Sequence, residues 1–269
     1  MYPKILELGP ITIHTYGLLL AAAFIAGIWI TSRNARKVGI HPDLTWNLGL
    51  IVIFSSLVGA KILLLLSDFE YYSQNFREIF SLATIRSTGV YYGGLLLALA
   101  AAAWFLIRKR LPAWQMADLA APGIALGQAI GRLGCLSAGC CYGKPTSMPW
   151  GITFTNPYAY NNVGVTLNTP LHPTQIYESL ATFALFLYLM WRLPRKHMDG
   201  QIILEYLTLY AFLRFVIEFF RNDERGFVLY GLLSTSQFIA ILTILGSAVI
   251  HYCFLRRQSR TPCKIEQKY

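Results

Sequence analysis

"WQMADLAAPGIALGQAIGRLGCLSAG" (Trp114–Gly139) is long and apolar enough to cross the roughly 30 Å of hydrocarbon in a bilayer, for which a helix needs about 20 residues. Near its C-terminal end it carries a fixed cation, Arg132, and it runs into "CCYGKP" (Cys140–Pro145). Read as a membrane helix opening into a glycine-rich turn, it sets the class of the whole chain. Similar stretches recur near residues 14–32, 44–66, 90–107, 176–193, 200–220 and 231–255. With the first, they predict an all-α integral membrane protein of about seven transmembrane helices.

Composition agrees. Of the 269 residues, 55% are hydrophobic and only 13% charged, whereas a soluble domain is about one-quarter charged. The first span follows a short polar start and is not trailed by a small-residue cleavage site and soluble sequence, so it reads as a retained helix. Without internal repeats, low-complexity linkers or heptads, residues 1–269 are expected to form a single polytopic membrane domain.

The net charge of +10 is explained by the loops. "RNARK" (Arg33–Lys37), "RKR" (Arg108–Arg110), "RLPRK" (Arg192–Lys196) and "RRQSR" (Arg256–Arg260) follow alternate spans. The opposing loops carry fewer cations, with Arg77 and Arg86 in one and Arg221 and Arg225, offset by Asp223 and Glu224, in another. Lysine and arginine mark the cytoplasmic side, so the N-terminus is placed outside and the C-terminus in the cytoplasm. With no soluble basic domain or base-stacking motif, nucleic acid is not an expected partner.

Two segments on the outer side are longer. Residues 67–88 space aromatics helically around polar positions, as in a short helix lying at the membrane interface. Residues 141–175 contain Pro145, Pro149, Pro157, Pro170 and Pro173 and are expected to form a small outward-facing head between the fourth and fifth spans, since proline interrupts helices.

An ionisable residue inside a span is expensive and marks function by default. Arg132 is one. Arg214, in "YLTLYAFLRFVIEFFR", is another, and Glu218 four residues on shares its helix face and can pair with it. Arg132 has no evident sequence partner. Its planar fork of donors suits a phosphate, and lipid head groups lie near its level, so the ligand expected for the two arginines is membrane lipid. Lys61 is a third buried cation that can snorkel or pair locally. Tyr16 and Tyr210 add hydroxyls that need partners when buried. His172, Gln175, Tyr177 and Glu178 lie where the head gives way to the fifth span. Gly89, Gly93 and Gly94 open the third span, where small residues allow close backbone approach.

Cys135, Cys140 and Cys141 match neither a paired C-x-x-C zinc pattern nor a haem site. No metal is expected. A disulfide from Cys135 to Cys140 or Cys141 stays open in an oxidising compartment, beside the plainer reading of small buried side chains.

Five ordered blocks, "YGLLL" (Tyr16–Leu20), "YYGGLLL" (Tyr91–Leu97), "GRLGCLSAGCCYG" (Gly131–Gly143), "HPTQIYE" (His172–Glu178) and "RFVIEFFR" (Arg214–Arg221), resemble those of the bacterial prolipoprotein diacylglyceryl transferases over nearly the whole chain. The resemblance implies an inner-membrane enzyme that moves the diacylglyceryl group of phosphatidylglycerol onto the lipobox cysteine thiol of a prelipoprotein signal peptide. A thioether forms and glycerol phosphate leaves, with no cofactor or metal. It implies phosphatidylglycerol contacts for Arg132, Gly143, Gly93, Gly94 and Tyr210, catalytic roles for Arg214, Tyr92, Tyr16 and Glu218, and support from Cys135, Cys140, His172, Gln175 and Arg221. The chain departs from the family's usual pattern at Tyr92, Cys135 and Cys140, where histidine, asparagine and glutamate are usual. A related transferase with another donor or acceptor is therefore the alternative, and a transporter, which lacks the expected repeat symmetry here, a remote one.

Overall fold

The computed structural model describes residues 4–8, 11–81, 84, 89–222, 226–228 and 233–260. Its helices are α1 (Thr15–Arg36), α2 (Pro42–Ser67), α3 (Phe69–Gln74), α4 (Tyr91–Arg108), α5 (Ala113–Ala138), α6 (Pro157–Val163), α7 (Thr174–Arg192), α8 (Gln201–Glu218) and α9 (Thr235–Arg260). Three short antiparallel pairs punctuate them: β1 (Lys4–Leu8) with β2 (Ile11–His14), β3 (Ile152–Thr153) with β4 (Pro170–Leu171), and β5 (Phe227–Val228) with β6 (Leu233–Ser234). Arg86 and the run Asp223–Arg225 lie outside the described residues.

Among the described residues, six helices, α1, α2, α4, α5, α7 and α9, are long and apolar enough to cross a membrane. The chain is an all-α integral membrane protein. The count of seven depends on α8, which forms in the expected place but carries Glu205, Arg214 and Glu218 within its 18 residues. The departure has a physical cause, because this helix holds the charges of the site.

The chain divides into two compact units, Ser32–Met116 and the remainder. In the first, α2 packs along α4. Their backbones meet at Gly59 and Gly93, where a side-chain carbon on either would collide with the other's carbonyl, and a carbon on Gly94 would come 2.7 Å from the Ser56 carbonyl oxygen. Small residues thus do here what the sequence suggested. Lys61 donates to the Thr84 carbonyl at 2.6 Å, a local pairing. The segment after α2 contains α3 and a 3₁₀ turn, Phe76–Phe80, with Phe69, Tyr71 and Phe76 exposed.

In the other unit, Ala121 and Ala125 of α5, Leu185 and Leu189 of α7 and Ile202 and Tyr206 of α8 form one buried cluster. The start of α8 is tied to α5 by Asp118, whose fully buried carboxylate accepts from the backbone of Gly200 and Ile203 and from Lys196 Nζ. Helix starts leave N–H groups unpaired, and Asp118 supplies acceptors that α8's own N-cap, Gly200, lacks. Burial disfavours the Lys196 ammonium, but hydrogen bonds to Asp118 and Asp199 outweigh it and raise its pKa above the ordinary value.

Between α5 and α7 lies the predicted head, with its own small core of Phe154, Ala159, Val165 and Leu171. The strand-like segment after Cys141 is bonded on both sides. Gly143 N–H donates to His172 O and Thr146 N–H to Pro170 O, while Lys144 N–H donates to Phe220 O at the end of α8. The head thereby fixes the first turn of α7 against the last turn of α8.

Candidate active site

The charged residues meet where α5, α7 and α8 converge. Arg132 Nη2 lies 2.8 Å from Glu178 Oε1, and Glu178 Oε2 lies 3.9 Å from Arg221 Nη1. Arg221 Nε lies 3.9 Å from Glu218 Oε2, which lies 2.6 Å from Arg214 Nη2. The five side chains form one continuous run: Arg132, Glu178, Arg221, Glu218, Arg214. The Arg214–Glu218 pair is as expected from the four-residue spacing. The expectation for Arg132 is corrected, since its carboxylate partner comes from α7 and is remote in sequence. A buried ion pair demands such completeness, because a lone charge there is strongly unfavourable.

Three guanidinium groups face two carboxylates, so the run retains one positive charge. Its interior is closed: Arg221 and Glu178 side chains are only 2% and 3% exposed. Arg132 remains 22% exposed and is the run's most accessible member. Polar groups line its flank. Tyr210 donates to Glu178 Oε1 at 3.2 Å, and Ser234 to Glu218 Oε1 at 3.2 Å. Tyr210 stacks on Tyr206, with centroids 5.8 Å apart. The Tyr16 ring lies over Gly134, two residues beyond Arg132, so that a side-chain carbon there would sit 3.2 Å from Tyr16 Cδ2.

Gly143 is crowded by backbone. A carbon added to it would come 2.6 Å from His172 Cβ, His172 O and Phe220 O, and its bridge partner is Arg221. Only a residue without Cβ lets the head approach α8 this closely. Gln175, fully buried, donates to Cys140 O at 2.7 Å while its Oε1 has no hydrogen-bond partner among the described residues. His172 Nδ1 lies 3.1 Å from the Tyr177 hydroxyl, which accepts from Trp150 Nε1 at 2.8 Å. These three rings border an open apolar pocket of about 520 Å³ whose lining also includes Phe212, Val216 and Phe220.

Cys135, Cys140 and Cys141 are free thiols beside this run, and Arg132 Nη1 approaches Cys141 Sγ at 3.7 Å. Hydrogen bonds from the Cys135 and Cys140 thiols lower the Cys141 thiol below its ordinary pKa against the effect of burial, and the Arg221 guanidinium acts in the same direction. Tyr92, Gly93 and Gly94 belong to the unit Ser32–Met116, in the first turn of α4. Tyr92 is half exposed there and packs edge-on against Tyr91.

Glu178 stands out in the sequence only as one of the polar residues at the junction of head and fifth span, with no role assigned to it. Its signal was a carboxylate three residues after Gln175 in an otherwise apolar helix, in a chain whose intramembrane arginines outnumbered their visible partners. Arg221 was expected only to support; it sits at the centre of the run.

Fold and site together define a polytopic membrane protein with a buried, net-cationic arginine–glutamate cluster at the junction of three helices and a head. The sequence matches the family described as prolipoprotein diacylglyceryl transferase over residues 3–253, and the chain belongs to that family. It is 35% identical over 260 residues to the phosphatidylglycerol--prolipoprotein diacylglyceryl transferase of Clostridium tetani, covering 96% of this chain and all of the relative. A relative named phosphatidylglycerol--prolipoprotein diacylglyceryl transferase 2, from Clostridium perfringens, is 34% identical, with 91% and 92% covered. One from Thermosynechococcus vestitus is also 34% identical, with 90% and 89% covered.

Proposed function

We propose that the protein transfers the diacylglyceryl group of phosphatidylglycerol to the thiol of a prelipoprotein's lipobox cysteine, in the bacterial inner membrane. The observation that carries this reading is the charge of the buried run. One residual positive charge, reached through Arg132, matches the single negative charge of a phosphodiester lipid, so the lipid completes the neutrality the protein leaves open. The apolar pocket beside His172 and Phe220 suits an acyl chain or an apolar signal-peptide residue.

In this reading Arg132 grips the phosphate through its fork of donors, and Arg214 and Arg221 stabilise the negative charge that grows on the departing glycerol phosphate. The acceptor thiolate attacks the glyceryl carbon, a carbon–sulfur bond forms, and the carbon–oxygen bond breaks with its electron pair leaving on phosphate. Glu178, Glu218, Tyr210 and Tyr16 orient these groups, and Gly143 sets the distance between the head and Arg221. The arginine field itself favours thiolate over thiol, so this reading assigns no proton transfer to Tyr92. Loop charges support an N-terminus outside and a C-terminus in the cytoplasm, with the head on the outer side.

The test is a membrane transfer assay with phosphatidylglycerol and a lipobox peptide. Arg132→Lys keeps the charge and loses the fork, and activity is expected to fall by about 10²–10³-fold, the scale of losing a preorganised transition-state donor. Near wild-type transfer by Arg132→Lys would overturn the phosphate-gripping role.

A further inference from the structure

The Sγ atoms of Cys135, Cys140 and Cys141 all lie within 4.8 Å of one another, although their spacing matches no paired metal motif. The end of α5 explains the gathering. Cys140 N–H bonds back to Cys135 O and Gly139 N–H to Leu136 O, with Gly139 at φ +79°. This is a Schellman ending, in which the side chains three residues before the cap and two beyond it come together. Those two positions are Cys135 and Cys140. Cys141 adopts φ +59°, a left-handed conformation uncommon for a side chain, and its sulfur joins the other two.

The arrangement is held from outside. Gln175 Nε2 donates to Cys140 O and Thr174 Oγ1 to Cys141 O, both at 2.7 Å, so the first turn of α7 pins both carbonyls of the turn. Arg132 lies against Cys141, placing positive charge where thiolates would need it.

We propose that Cys135, Cys140 and Cys141 form a three-thiolate site for a soft, thiophilic cation, with monovalent copper as its representative. Thiolates select soft ions, and no imidazole or carboxylate belongs to the group among the described residues. A metal about 2.3 Å from each sulfur, as in zinc–thiolate bonds, puts sulfurs in a trigonal plane about 4 Å apart, within the observed limit. Four-coordinate zinc would require a further ligand that the cluster does not supply. Binding releases the thiol protons to solvent and leaves the copper oxidation state unchanged. The site adjoins the proposed transfer site, sharing Arg132 and Gln175 with it, so it is read by metal uptake and thiol protection rather than by transfer activity.

The experiment uses the full-length protein in detergent with Cys253→Ser and Cys263→Ser, which removes the cysteines outside the cluster. Under reducing conditions it is titrated against the Cu(I)–bicinchoninate complex. One Cu(I) per chain is expected to leave the chelator, and the three thiols should become protected from alkylation by N-ethylmaleimide. Adding Cys135→Ser or Cys141→Ser should abolish the uptake, while Gln175→Leu, which keeps all three thiols, should weaken it about 10–100-fold, as loss of an outer-shell partner does. No copper uptake by the three-cysteine protein, unchanged alkylation rates with copper, or full uptake after Cys135→Ser would each overturn the site. The first two measurements use protein with the cluster intact, so poor folding of a variant does not blunt them.

Discussion

Glu178 faces two arginines and accepts from Tyr210, so one carboxylate holds Arg132 and Arg221 in relation to each other. Glu178→Gln keeps an acceptor for Tyr210 but raises the run's charge by one. Lipid capture should persist, because the cluster is then more cationic, whereas orientation should suffer. The expected result is a kcat lowered by about tenfold or more, the effect of ~1.4 kcal/mol, with no rise in KM for phosphatidylglycerol; a raised KM with unchanged kcat would show that Glu178 serves binding instead. Gly143→Ala tests the crowding at the head. Three contacts at 2.6 Å cannot be relieved without moving backbone, so a loss of about 1–3 kcal/mol is expected as a lower melting temperature in detergent, together with reduced transfer. At this scale the sequence revealed Arg132 and Arg214, because a charge inside an apolar span stands out. It concealed Glu178 as Arg132's partner, because pairing across helices depends on which faces meet, and no local spacing encodes that.

Among the elements, the two ends of the α5–α8 connection carry the clearest physical logic. Asp118 caps α8 and neutralises Lys196, yet its helix reads simply as an apolar span with one acid near its start. Asp118→Ala removes acceptors for two backbone N–H groups and leaves Lys196 with Asp199 alone. A destabilisation of about 2–4 kcal/mol is expected from the lost cap and the partly buried ion pair, read as a fall in melting temperature of the detergent-solubilised protein. The raised Lys196 pKa fixes the pH window: its stabilisation is complete below the unfolded value near 10.4 and fades only as pH rises through the higher folded value. The wild-type advantage over Asp118→Ala should therefore stay flat from neutral pH to about 10; a difference that disappeared near neutral pH would contradict the Lys196 contribution. The long helices were legible from apolar length, whereas the short α6 inside the proline-rich head was not. The sulfur cluster was not, because metal-spacing rules describe ligands on hairpins and helix faces, whereas these cysteines are gathered by a left-handed turn.

For the whole molecule, large apolar side chains such as Phe54, Leu96, Leu180 and Leu242 are exposed along the long helices, a distribution that suits lipid as the surrounding solvent. Charge asymmetry and hydrocarbon thickness made the fold class readable, and among the described long helices the one that strays from the apolar pattern supplies Arg214 and Glu218. At this scale the departures bear on how the acceptor thiol is prepared, since Tyr92, Cys135 and Cys140 stand where histidine, asparagine and glutamate are usual in the resembling family. If the arginine field rather than a histidine base prepares the acceptor thiol, the wild-type chain needs no histidine at position 92. Expressed in bacteria depleted of their own prolipoprotein diacylglyceryl transferase, it should restore growth, Arg132→Lys should not, and Tyr92→His should support growth at least as well. Failure of wild type with rescue by Tyr92→His would mean that a base at this position is indispensable and that the native chain acts on another acceptor. Failure of both, with the proteins present in the membrane, would point to a different lipid donor.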